Sequence, residues 1–141
     1  MALFLWSDSE LSVGNSLMDS DHRQMVVLLN DLFLAMERHE GKVVLVKLLG
    51  DLTKFTQEHF KREEEIMQRI GYAEQENHKQ EHDRLNSEVQ ELQKRFNGGK
   101  SMLSIEVSRF LSDWVFNHII RDDRKLAAAI RAAEQSGNSF T

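Results

Sequence analysis

The 141-residue sequence contains no cysteine and no proline. Without cysteine there can be no disulfide, thiolate zinc site, iron–sulfur cluster or cysteine nucleophile. Any bound metal must then be held by nitrogen and oxygen. Without proline, nothing forces a break in a helix, and the composition suits long ones. Long apolar runs are missing too: no stretch approaches the ~20 residues of a membrane span. Met1 to Trp6 is too short for a signal-peptide core, and no basic residue precedes it. Nor is there a basic excess, since the net charge of −5 leaves no footprint for nucleic acid or an anionic membrane. The expectation is one domain, a cytoplasmic monomer with no nucleic-acid partner and no membrane insertion.

What is present is helical periodicity, punctuated by glycine at Gly14, Gly41, Gly71, Gly98–Gly99 and Gly137. From Asp19, with Asp19 or Ser20 as N-cap, the positions His22, Met25–Val26, Leu29, Leu32–Phe33 and Met36 trace one face of a helix. After Gly41 a longer stripe runs through Leu45, Leu48–Leu49, Leu52, Phe55–Thr56, His59, Glu63, Ile66–Met67 and Ile70, with Gly50 inside it. It overrides the β-branched run Val43–Val46, and Gly71 ends it. A third stripe reads His78, His82, Leu85, Val89, Leu92, Phe96. A fourth starts near Ser101 and carries Leu103, Val107, Phe110–Leu111, Trp114–Val115 and His118–Ile119. A final amphipathic piece, roughly Arg124 to Gln135, holds Leu126 and Ile130.

Helices joined by short connections pack most simply up and down. The predicted fold is all-α: an antiparallel four-helix bundle over 19–120, with an N-terminal arm (1–18), a short C-terminal helix (121–135) and a frayed tail (136–141).

Histidine and glutamate do not belong on a bundle's buried face, because an unpaired buried carboxylate costs several kcal/mol. Yet His22, His59, Glu63, His78, His82 and His118 occupy stripe positions otherwise given to Leu or Phe. A single such histidine is ordinarily a satisfied core residue. In an up-and-down bundle, however, all of these fall at the same end, in one layer. Independent core histidines have no reason to share a layer, and the pairs His59/Glu63 and His78/His82 are spaced i,i+4, on one side of their helices. A metal site explains the pattern. His39, between Arg38 and Glu40, lies away from that layer and reads as an exposed helix-end residue.

Five imidazoles and one carboxylate exceed the needs of one tetrahedral zinc. Two ions would need bridging carboxylates: Glu63, and a second from Asp122–Asp123. Regular spacing favours Asp122, at i+4 from His118, whereas Asp123 would point ~140° away. Only a widened or broken helix, such as a π-bulge, would favour Asp123.

The sequence resembles the hemerythrins, specifically their bacterial members, over nearly the whole chain. The resemblance is carried by Trp6, Val13-Gly14, Asp19-x-x-His22, His59-x-x-x-Glu63, Gly71-Tyr72, His78-x-x-x-His82 and Trp114-x-x-x-His118-x-x-x-x-Asp123. It implies a non-haem diiron centre that binds dioxygen reversibly for storage, transport or delivery to an oxygen-consuming enzyme, with no catalytic residues. By position, His78, His82 and His118 would hold one iron, and His22 and His59 the other, which keeps an open place. Glu63 and Asp123 would bridge, together with a solvent-derived oxygen, so the resemblance selects Asp123. Met25, Phe60, Trp114, Val115 and Ile119 would wall the open side, or simply pack the core. Departures occur at Ala73 (proline in many relatives), Asp21 (commonly glutamine) and Leu85 (frequently phenylalanine).

Three other readings compete. His78-Lys79-Gln80-Glu81-His82 matches the H-x-x-E-H pattern of zinc peptidases, but it leaves the other histidines unexplained and aims Glu81 away from the pair. A diiron enzyme reducing peroxide or activating oxygen could use the same ligands. An oxygen or redox sensor could pass a shift of the helices to a partner.

Overall fold

The protein is described by a computed structural model covering residues 6–97 and 105–136. Several expectations fall outside the described residues: Gly98–Gly99, the helix start near Ser101 with Leu103, the side chain of Val107, and the tail from Gly137. The elements are α1 (Asp8–Leu11), α2 (Ser16–Glu37), α3 (Lys42–Ile70), α4 (Gln75–Asn97), α5 (Ile105–Asp113), a π-helical segment (Trp114–Ile120) and α6 (Arg121–Gln135). Among the described residues there is no strand.

Helix α2 begins earlier than Asp19. Asn15 has extended backbone, and its side chain accepts the Met18 N–H at 3.0 Å, which satisfies an orphan donor of the first turn. Asp19 is thereby free to hold the N-terminal arm against α2. Its carboxylate accepts the Val13 N–H at 2.8 Å and the Ser12 hydroxyl at 2.6 Å. The arm is stitched further by Arg131 of α6, which donates to the Val13 carbonyl at 3.2 Å. Gly14 makes that approach possible, because at φ 81° a Cβ there would collide with the Arg131 guanidinium.

The reversals after α2 and after α3 have the same closing geometry. Helix α2 ends with His39 at φ 54°, with Glu40 N–H bonding back to Ala35 and His39 N–H to Met36. Helix α3 ends with Gly71 at φ 63°, with Tyr72 bonding to Met67 and Gly71 to Gln68. These paired bonds satisfy carbonyls that the helix leaves free and turn the chain sharply. His39 is exposed at its turn, as the sequence suggests. The Val43–Val46 run is helical, and Val43 is among the most exposed apolar residues.

Helix α2 packs on α3 and α3 on α4, while α5 lies against α2 and α6 against α3. Their facing stripes make one core, including Leu29, Leu32, Leu52, Met67, Leu85, Leu111 and Leu126. Each fully buried side chain of this kind contributes about 1.5–3 kcal/mol relative to exposure. The helical bundle is the architecture that the stripes imply.

The last part of the chain differs in one respect. Asp113, Ile120 and Arg121 all keep right-handed helical backbone, so α5, the π-helical segment and α6 follow one another with no turn at 120–121. Within the π segment, Trp114 and Val115 are buried together with Ile119 and Ile120. The apolar pairs therefore repeat at five residues, as the wider i→i+5 turn requires.

Candidate metal centre

Six of the seven predicted ligands meet in the core. His22 comes from the early part of α2, His59 and Glu63 from the later part of α3, His78 and His82 from the start of α4, and Asp123 from the start of α6. All six are buried. Reversal of direction at each turn places these stretches at one end of the bundle.

The contacts form two overlapping groups: His22, His59, Glu63 and Asp123, and Glu63, His78, His82 and Asp123. Within each group, one potential ligand atom per residue lies within 4.8 Å of the others. Asp123 Oδ2 is 2.6 Å from His22 Nε2 and 2.8 Å from His59 Nε2. Glu63 Oε1 is 2.9 Å from His82 Nε2 and 3.1 Å from His78 Nε2, and Glu63 Oε2 is 2.8 Å from His59 Nε2. Two carboxylates thus belong to both groups and each imidazole to one. His22 Nδ1 is buried without a hydrogen-bond partner, although buried polar atoms are normally satisfied.

The electrostatics show what the cluster is suited to hold. Burial opposes charge on His78, yet hydrogen bonds to Asp123 and Glu63 raise its pKa to about 10. His59 is likewise raised well above the ordinary histidine value: burial opposes this, while the Glu63 charge and hydrogen bonds to Asp123 and Asp21 drive it. Burial would raise the Asp123 carboxyl, but hydrogen bonds with Glu63, His22, His59 and His78 hold it well below the usual range. The groups favour concentrated positive charge inside a dry core. A cation held by the imidazole nitrogens and carboxylate oxygens of the two groups meets that demand. The residues fit a non-haem iron site.

His118 is not in either group. Its side chain is 27% exposed, with Nε2 3.2 Å from Asp113 Oδ2 and Nδ1 3.6 Å from Glu81 Oε1. The sequence-based layer therefore differs from the structure at this residue. The buried face of the π segment is made by Trp114, Val115, Ile119 and Ile120, and His118 falls to its side. Asp122, at i+4 from His118, is also partly exposed, at 21%. Asp123 is the carboxylate inside.

The five expected wall residues, Met25, Phe60, Trp114, Val115 and Ile119, are all buried. Phe60 stacks on His82 with ring centroids 3.9 Å apart and planes 10° from parallel. The Trp114 indole N–H donates to the Leu85 carbonyl at 3.2 Å. On the outer side, a solvent-open cavity of about 200 Å³ reaches His78 between Tyr72, Glu81 and Asp122.

Two carboxylates outside the expected ligand set stand behind the cluster: Asp21, one of the departures from the relatives' pattern, and Glu64. Asp21 Oδ2 lies 2.8 Å from His59 Nδ1, and Glu64 Oε2 lies 3.1 Å from His82 Nδ1. Each contacts Nδ1 of a ring whose Nε2 faces the cluster, the place where a metal-binding histidine usually has an outer partner. Each also neighbours a cluster residue in sequence, and that adjacency is the one signal a sequence carries.

The family model for the hemerythrin HHE cation binding domain matches residues 13–130. The bacteriohemerythrin of Stenotrophomonas maltophilia is 33% identical over 132 residues, 94% of this chain and 84% of that protein. The bacteriohemerythrin of Methylococcus capsulatus is 34% identical over 135 residues, 94% of this chain and 100% of that protein. A solved wild-type hemerythrin superposes with a TM-score of 0.81 at 32% identity, covering 91% of this chain and 98% of that one.

Proposed function

The chain belongs to the hemerythrin family, and on that footing we propose that it binds dioxygen reversibly at a non-haem diiron centre. It acts as a monomeric cytoplasmic carrier or store that releases oxygen to an oxygen-consuming enzyme. The observation that carries this reading is the membership of Glu63 and Asp123 in both four-residue groups. Two ions side by side would each find two imidazoles, with both carboxylates free to bridge. We include His118 as the seventh ligand, beside His78 and His82, on the resemblance alone. That leaves the ion at His22 and His59 one place for oxygen.

Iron bound there supplies reversible electron transfer to oxygen; the chain supplies its setting. The Nε2 atoms of His59 and His82 face inward while Asp21 and Glu64 contact the opposite ring nitrogens. Imidazole-rich ligation with only two carboxylates suits retention of ferrous iron better than a glutamate-rich set would. Met25, Phe60, Trp114, Val115 and Ile119 exclude water. Trp114 carries the one polar hydrogen among these side chains, and the Leu85 carbonyl already takes it. With that hydrogen taken, the wall offers no proton of its own to the space it encloses.

The test is spectroscopic. Iron-loaded, anaerobically reduced protein exposed to oxygen should gain a visible charge-transfer band that vanishes when oxygen is removed. Immediate, irreversible oxidation would overturn the carrier reading in favour of an enzyme. One zinc and no iron in protein from iron-fed cells would overturn the diiron centre.

A further inference from the structure

We propose that Asp21, clamped by Arg62, is a positioning residue that sets how much negative charge reaches His59, and through it the reduction potential of the iron bound there. The inference rests on the diiron reading. One oxygen, Asp21 Oδ2, serves both partners: it accepts from His59 Nδ1 at 2.8 Å and from Arg62 Nε at 3.0 Å. The Arg62 guanidinium also lies over the Phe55 ring, 5.5 Å from its centroid, which fixes the clamp from a second side. The Asp21 side chain is 13% exposed. The equivalent carboxylate behind His82, Glu64, is more open to water at 31%. The two groups are therefore backed unequally.

The consequence follows from charge. A carboxylate accepting the Nδ1 hydrogen pushes electron density into the ring and raises its basicity toward a metal. This favours the higher oxidation state. A buried carboxylate is screened less than an exposed one, so Asp21 acts more strongly than Glu64. The Arg62 cation works against it, and the balance between them is built into this pair.

Three variants separate the parts. Asp21→Asn keeps an oxygen acceptor and loses the charge. Asp21→Ala loses both. Arg62→Leu removes the opposing cation and leaves an apolar stem against Phe55. Co²⁺ affinity, measured by chelator competition, should fall about 10–100-fold in Asp21→Ala and less in Asp21→Asn. The midpoint potential of the iron-loaded protein should rise in Asp21→Asn and fall in Arg62→Leu. Structural loosening alone would move those two in the same direction, and that result overturns the inference. So does an unchanged potential in Asp21→Asn with normal metal content, which would leave the diiron reading intact. A wild-type protein that takes up no Co²⁺ at the cluster would instead remove the metal centre, and the inference with it.

Discussion

Phe60 is the side chain whose removal best tests whether the apolar wall serves the centre or only the fold. It is buried, and its ring lies flat on His82. Truncation to alanine loses transfer energy and leaves a cavity, at a cost of about 3–5 kcal/mol. With an unfolding entropy of about 2.1 cal/mol/K per residue, a chain of 141 residues has about 0.3 kcal/mol/K. The melting temperature should therefore fall by about 10–17 °C. Leu49→Ala is the control. Leu49 is equally buried on the same helix, about 16 Å away along its axis, and its truncation costs about 2–5 kcal/mol. Both variants should lose stability in thermal unfolding followed by circular dichroism at equal iron content. Only Phe60→Ala should speed irreversible oxidation of the oxygenated protein, because only its cavity brings water beside His82. A melting loss below about 3 °C in Phe60→Ala would refute the packing argument. Equal acceleration in Leu49→Ala would refute the link between this wall and the chemistry.

The remaining predictions concern ligands, pH and backbone. Asp123→Ala should abolish uptake of two irons, measured by metal analysis, whereas Asp122→Ala should retain it; the reverse would reject the buried carboxylate as the bridge. His118→Ala should lower iron content, and an unchanged content would restrict the ligands to the six clustered residues. In protein stripped by a chelator, His78 has its folded pKa raised from 6.5 to about 10. Its contribution to stability is present below pH 6.5 and is lost as pH rises through about 10. The urea midpoint of stripped protein should thus fall across that window, and a rise would contradict the hydrogen-bond assignment. Gly50 lies inside α3 with nothing within 4 Å of an added Cβ. Gly50→Ala should therefore stabilise by about 0.5–1 kcal/mol, read as a higher urea midpoint, and a lower midpoint would mean that the added methyl is not accommodated.

Helices and their buried faces were legible because apolar residues recur with the helical period, and the polar intruders His22, His59, Glu63, His78 and His82 stand out against it. The start of α2 was less legible, since Asn15, Asp19 and Ser20 are all good N-caps and only the path of the arm decides among them. Periodicity also misdirects after Trp114. A shift to i→i+5 bonding leaves no mark in composition, so a buried set of Trp114, Val115, Ile119, Ile120 and Asp123 does not follow from a regular helical stripe. Asp21 and Glu64 look like ordinary helix-surface acids, because their histidine partners come from other helices and only packing brings them together.

The position of Asp123 on α6 has a consequence for the order of manufacture. It lies 101 positions after His22, its nearest cluster partner. At about 5–20 residues per second, the ribosome finishes the first histidine some 5–20 seconds before this carboxylate exists. The four clustered histidines and Glu63 can gather during that interval, but the second shared carboxylate cannot. A cation arriving then would meet an incomplete cradle, so the six-residue cluster is complete only once α6 has been made and has closed over the others.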